Sequence, residues 1–232
     1  MFFLLLCSLP IFVNCQPTDE DSKFCELKEW NLKGKVKKIT NYIFENINPG
    51  YAQSKLADTA KCDRRNIATY DRKGNLISLE NITKSKTGKV TMKGESKMIY
   101  FQNKRVSTQI LNGDTFSVAV RQWISDSSYT DTIKNNVNQN TGLNITVLDK
   151  NRVIKWQQIE SLKEYDIARP VKIYFKFNDR KQLIEIVSQT ENGKQTVETN
   201  KDFAFDKTGN PIKSMKQQST KSTLIIRKYE YY

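Results

Sequence analysis

No histidine occurs among the 232 residues. A Ser-His-Asp triad, a Cys-His pair and a His-ligated metal centre are therefore excluded. Apolar runs are short: the longest, Phe2 to Val13, falls well below the roughly twenty residues a helix needs to cross a bilayer. No stretch of fifteen residues keeps a 3.6-residue apolar period, which argues against a helical core. Cysteine is scarce. Cys7 lies in the leading apolar run and Cys15 just behind it, which leaves Cys25 and Cys62 as the one remaining pair. With so few thiols and no imidazole, neither a metal site nor a cofactor is expected.

Negative charge is also in short supply, with 25 Asp and Glu against 38 Lys and Arg, a net of +13. The first 22 residues hold Asp19, Glu20 and Asp21 but no Lys or Arg, so the body behind them carries +16. Such a surface attracts polyanions, among them nucleic acid and anionic lipid or glycan. The cations are 29 Lys and 9 Arg, dispersed along the chain. Lys lacks the planar fork that reads phosphate bidentately, so specific nucleic-acid recognition is not expected.

Residues 1–14 read as a secretory signal, an apolar core followed by a polar break. Residues 15–23 follow as a tether: Gln16 to Ser22 holds no apolar residue beyond Pro17 and cannot pack. The sequence Phe12-Val13-Asn14-Cys15 resembles a relaxed bacterial lipobox. That resemblance implies cleavage before Cys15 and acylation of its sulfur and amine, with Asn14 where the family carries Gly, Ala or Ser. The alternative is an ordinary signal peptide with a chance cysteine. Gln16, Asp19, Glu20 and Asp21 resemble the export signal that sends some Bacteroidota lipoproteins to the outer face of the outer membrane. The expected location is the outer membrane with display at the surface, or otherwise the periplasm or the exterior. Cys25 and Cys62 then form a disulfide, worth about 4 kcal/mol in the chain-entropy account, or stand as two buried thiols.

From 24 to 232 the chain reads as a single β domain. Its organising unit is Tyr70-Asp71-Arg72-Lys73-Gly74-Asn75-Leu76-Ile77, which returns as Phe205-Asp206-Lys207-Thr208-Gly209-Asn210-Pro211-Ile212. Asp71 and Asp206 suit the first position of a turn, where the carboxylate bonds its own backbone two residues on. Gly74 and Gly209 supply a positive φ on re-entry to the next strand, followed by Asn75 and Asn210. Weaker copies begin near 102, 149 and 178, giving steps of 31, 47, 29 and 28 residues: two strands per unit, with one long insertion. These steps are too short for crossover helices, so pairing is antiparallel. The expected fold is mainly β, a twisted meander of hairpins that can curl toward an open barrel, with at most one or two short helices. Phe24 to Leu32 and Tyr51 to Lys61 are the helix candidates.

The copies resemble degenerate YD (RHS-like) repeats. The opening Trp30-Asn31-Leu32-Lys33-Gly34-Lys35-Val36 and the closing Arg227-Lys228-Tyr229-Glu230-Tyr231-Tyr232 resemble the ends of small Bacteroidota envelope lipoproteins built from them. Large members of the wider group wind many repeats into a shell; five copies are too few to enclose anything.

Chemistry-bearing patterns are sparse. Glu160, Glu164, Asp166, Glu185, Glu191 and Glu198 are available for glycosidase-like work, but no spacing singles out a pair. Trp123 and Trp156 with Gln157 and Gln158 form either a sugar-stacking face or core. Asn81-Ile82-Thr83 and Asn144-Ile145-Thr146 match N-glycan acceptors, and Asp58-Thr59-Ala60 and Asp131-Thr132-Ile133 match a short O-glycan acceptor. The reading is a non-enzymatic, lipid-anchored envelope module that binds or bridges an unknown protein or anionic glycan. The alternatives are an immunity-type protein capping an acidic toxin, and a carboxylate-dependent glycan hydrolase.

Overall fold

The computed structural model describes residues 25–48, 58–101, 104–136, 141–161 and 171–232. The signal (1–14), Cys15, Gln16, Asp19, Glu20 and Asp21 lie outside the described residues, as does 51–57 of the second helix candidate. A single helical turn, α1 (Glu26–Glu29), opens the described chain. Fourteen described strands follow. The first seven are β1 (Val36–Glu45), β2 (Arg64–Tyr70), β3 (Leu76–Lys84), β4 (Val90–Phe101), β5 (Lys104–Leu111), β6 (Asp114–Ser125) and β7 (Ser128–Asn135). The second seven are β8 (Thr141–Leu148), β9 (Ile154–Ser161), β10 (Val171–Phe177), β11 (Leu183–Thr190), β12 (Gln195–Phe205), β13 (Pro211–Gln218) and β14 (Lys221–Tyr231). Of the Tyr51 to Lys61 candidate, the described part is a 3-10 turn, Thr59–Lys61, started by Asp58 accepting from Ala60 N at 3.0 Å.

Each strand pairs antiparallel with its chain neighbours, and β1 pairs with β14, so the meander closes into a barrel. This corrects the expectation that so few repeats enclose nothing. The insertion between the copies at 102 and 149 holds four strands, β5 to β8. It is two further hairpins, whose middle turn, Ser125 to Ser128, holds Asp126 but not the Asp-x-x-Gly-Asn pattern.

Turns that carry the repeat all fall at one rim, because each step is two strands long. At Asp71 the carboxylate accepts from Lys73 N at 2.8 Å and Asn75 N at 2.9 Å, and Gly74 sits at φ +88°. At Asp206 it accepts from Thr208 N and Asn210 N, both at 2.9 Å, with Gly209 at φ +86°. Asp149 and Asn178 build the same loop without glycine, and Arg152 (φ 63°) and Lys181 (φ 58°) take the left-handed position.

Side chains alternate between two faces, and α1 identifies the inner one. Cys25 and Leu27 pack with Val36, Ile39, Ala68 and Tyr70, while Glu26 and Glu29 reach Arg105 and Arg121. Trp30 packs edge-on to Phe175 at 6.0 Å, and Lys33 bonds to Asn210. One short segment that meets strands all round the sheet has to lie within the barrel. A second cluster, Phe44, Cys62, Met215, Leu224 and Ile226, occupies the opposite, outer face of β1, β13 and β14. Cys25 and Cys62 thus lie on opposite sides of the sheet, both buried and free. The Cys25–Cys62 disulfide is not made, because the barrel wall stands between the two thiols.

A Cβ on Gly74 would meet Cys25 Sγ at 2.7 Å and Leu27 Cδ1 at 3.2 Å, whereas one on Gly193, also at positive φ, would meet nothing within 4 Å. Gly74→Ala is expected to cost more than the roughly 1 kcal/mol of backbone strain alone. Gly193→Ala should cost about that strain term and no more. Urea unfolding of the two variants measures the difference.

Candidate functional site

Residues 25–33 stopper the rim that carries the repeat turns. Lys33 N donates to Asn210 Oδ1 and Asn210 Nδ2 donates to Lys33 O, both at 2.8 Å, a two-point clamp on the plug backbone. Leu27 N donates to Gly74 O at 3.4 Å, and Asn31 Nδ2 to Lys181 O at 2.7 Å. Three copies of the same turn therefore hold one segment.

Beneath the plug lies a buried ion network. Arg121 grips Asp131 with Nε at 3.0 Å and Nη2 at 3.1 Å, and its guanidinium stacks over the Tyr129 ring at 3.7 Å. Arg105 donates to Glu26 at 2.7 Å and to Asp131 at 3.3 Å. Glu29 accepts from Tyr129 OH at 3.0 Å and from Arg121 Nη1 at 3.4 Å. Leu76 N donates to Glu26 Oε2 at 3.0 Å, and Tyr100 OH donates to Leu76 O at 2.6 Å. Three carboxylates face two guanidiniums, so the network carries one negative charge too many when fully ionised. Glu29, 2% exposed, absorbs the excess: burial pushes its pKa up to about 6 against the pull of Arg121. Burial also raises the hydroxyls of Tyr100 and Tyr129, which stay protonated as donors.

Above the plug, the lumen face rises in tiers. A floor of Ile39, Ala68 and Leu79 is followed by Asn41, Asn66 and Asn81 in direct register, then by Ile43, Arg64 and Thr83. Asn81 pairs with Gly94 on β4. At the open mouth Glu45 and Glu198 line one cavity of about 230 Å³ with Lys216, Gln218, Lys221 and Thr223. Each carboxylate there is ion-paired, Glu45 with Arg64 and Glu198 with Lys216 at 2.8 Å. Arg227, whose pKa burial pulls down, donates to Ser214 Oγ, and Ser214 in turn donates to Asp202 at 2.6 Å. Lumen-facing Ile159 is 41% exposed, so this half of the barrel admits water.

Several residues picked out in the sequence are separated by the wall. Trp123 faces inward, edge-on to Tyr129 at 4.9 Å, while Trp156 faces outward under Lys172. They share no sugar-stacking face. Asn81 and Asn144 face the lumen, and Asp131 is locked by Arg121, so none of the three presents an outward glycan acceptor. Glu160 and Glu185 point outward, and Glu191 lies in the turn after β11. Glu164 and Asp166 lie outside the described residues.

Outer-face positions include Lys38, Arg65, Glu80, Glu95, Lys97, Lys172, Glu185, Lys201 and Lys228, spread over eight of the strands. A lipid-spanning barrel needs an unbroken apolar band about 25 Å tall. This wall has none.

No family model and no curated protein matches the chain. Among solved structures it is similar to a porin-like protein from Bacteroides uniformis ATCC 8492. The two share 10% identity over 84% of this chain and 98% of that one, with a TM-score of 0.44.

Glu29 makes the plug pH-dependent with a definite sign. A carboxyl raised from 4.5 to about 6 on folding adds stability that is full below pH 4.5 and is lost as pH rises through 6. Between about pH 4 and 7.5, the stability difference between wild type and Glu29→Gln should shift by about 2 kcal/mol in the variant's favour. Chemical denaturation across that range measures it. Arg121→Met should cost about 3–5 kcal/mol at neutral pH, because three carboxylates would then share one guanidinium.

Proposed function

We propose that the protein is a non-enzymatic, lipid-anchored envelope module whose barrel is closed at its membrane end and open at the other. The observation that carries this reading is the order of parts along the chain. The segment directly behind the acidic tether is the plug itself. Cys25 lies ten residue steps beyond Cys15, a reach of about 35 Å at full extension. An acyl chain on Cys15 would therefore hold the plugged rim near the bilayer and turn the mouth cavity outward. The charged outer wall supports a barrel that stands on the membrane rather than in it. Gln16, Asp19, Glu20 and Asp21 favour display on the outer face of the outer membrane. The hairpin repeat and its terminal signatures fit small YD-repeat envelope lipoproteins of Bacteroidota type.

An enzymatic reading has less support. Glu26, Glu29 and Asp131 are the paired, buried acids, and arginines and a tyrosine hydroxyl occupy them. Glu45 and Glu198 share the mouth cavity, but each is held by a cation. A binding role uses the lumen as it stands.

Cys15→Ser in the full chain is the test. The expected result is accumulation of unprocessed precursor, loss of metabolic labelling with a clickable fatty acid, and release from the membrane fraction. Continued labelling of the variant would show that the lipid lies elsewhere.

A further inference from the structure

Asn41, Asn66 and Asn81 stand side by side on three adjacent strands, one tier above the apolar floor. Neighbouring strands lie about 4.8 Å apart, close to the length of one pyranose ring. None of the three side-chain amides makes a hydrogen bond with the described residues, although a wall of this kind offers many partners. Asn144, across the lumen, has a buried Oδ1 with no partner. Asn41, Asn66 and Asn81 are all part-exposed to the wet half of the lumen, so their donors and acceptors stand open to a ligand.

The two glycines inside strands point the same way. Gly94 continues the asparagine row next to Asn81, and Gly142 lies two residues from Asn144 on the same face. Neither has positive φ, and a Cβ on either would sit at ordinary contact distance from its neighbours, 3.8 and 3.7 Å. The backbone therefore does not require glycine at these places. Glycine inside a strand without a backbone reason marks the close approach of something else.

We infer that the lumen above the plug is a binding site for a neutral oligosaccharide, seated on the Asn41-Asn66-Asn81 row and in the notch at Gly94. A primary amide offers a donor and an acceptor in one plane, which matches hydroxyls that each both give and take. The apolar floor of Ile39, Ala68 and Leu79 and the flanking Ile43 suit the C–H faces of sugar rings. Charge decides against an anionic ligand here. The cations deeper in the lumen are already answered, Arg64 by Glu45, Lys216 by Glu198, Arg105 and Arg121 by the plug network, and Arg227 by Asp202 through Ser214, which leaves Lys221 at the mouth rim. The net positive charge of the chain instead belongs to its outer wall and rim. A peptide entering by strand addition is excluded, because a closed barrel has no free edge to extend.

This deepens the reading of the barrel as a binding module, and its failure would leave anchoring through Cys15 untouched. The full acylated chain in detergent micelles is titrated calorimetrically with maltoheptaose, cellohexaose and xylohexaose, and with hexagalacturonate as the anionic control. At least one neutral sugar should bind, with an affinity that barely changes between about 50 and about 500 mM NaCl. Asn66→Leu should weaken that binding by about tenfold or more, the loss of one or two hydrogen bonds. Gly94→Leu should abolish it by filling the notch, while its melting temperature, and that of Asn66→Ser as a gentler variant, stay near wild type. Binding of none of the neutral sugars overturns the inference. So does binding that survives both Asn66→Ser and Gly94→Leu, or binding of hexagalacturonate alone with steep salt dependence.

Discussion

Two arginines on neighbouring strands, Arg105 and Arg121, face into a barrel and are less than a tenth exposed. A guanidinium in such a place has to be answered by carboxylates with good geometry, since an unpaired buried charge costs several kcal/mol. Asp131 from the wall answers only part of the demand. Glu26 and Glu29 answer the rest, and they come from the plug. A single turn of helix has no stability of its own, so α1 exists because the wall holds it. The wall near β4 to β7 in turn depends on α1 to neutralise it. Plug and barrel are one folding unit for that reason, and the excess negative charge left on Glu29 records how closely the two are matched.

Strand number explains why a plug is needed. About eight strands leave an interior that side chains can fill, and sixteen or more leave an aqueous channel. Fourteen fall between, so the wall cannot meet itself across the middle. Here the chain fills one half of the lumen with its own N-terminal segment and leaves the other half wet. The wet half is lined by amides, hydroxyls and balanced ion pairs, and the dry half by Tyr70, Tyr100, Trp123, Tyr129 and the plug. The outer wall carries cations of its own, among them Lys172, Lys201 and Lys228.

The turns were the legible part of the sequence, because their chemistry is local. Asp71 and Asp206 bond backbone two and four residues away, and no distant residue is needed to recognise the pattern. Closure was not legible: the pairing of β1 with β14 is a contact across nearly the whole chain, and no residue in either strand announces it. The site was hidden by an inversion of the usual alternation. In β5, β6 and β8 the aliphatic residues Val106, Ile110, Val118, Val120, Leu143 and Ile145 face outward, while Arg105, Arg121, Gln109 and Asn144 face inward. Reading apolar as core assigns those strands the wrong inner face. Inward positions held by polar residues and by a single Arg next to a β-branched residue, Arg105 beside Val106 and Arg121 beside Val120, are the signal that could have exposed it.

The two rims carry different burdens, and the repeat explains how they came apart. Every second connection in the meander falls at the plugged rim, so a repeat of two strands stamps one loop design there. That loop has to be tight, and its left-handed residue closes the hairpin, while in three of the copies the residues at its end also hold the plug. Asn210 clamps Lys33 in this way, and the Gly74 carbonyl receives Leu27 N. Connections at the open rim are free of that demand. They range from Asn112-Gly113 between β5 and β6 to the span from β1 to β2, whose Ile47 and Cys62 pack on the outer wall. Variation in length and chemistry at the mouth leaves the ion network below unchanged, because no residue of that network lies in an open-rim turn. A barrel divided in this way can alter what it admits without altering what keeps it folded.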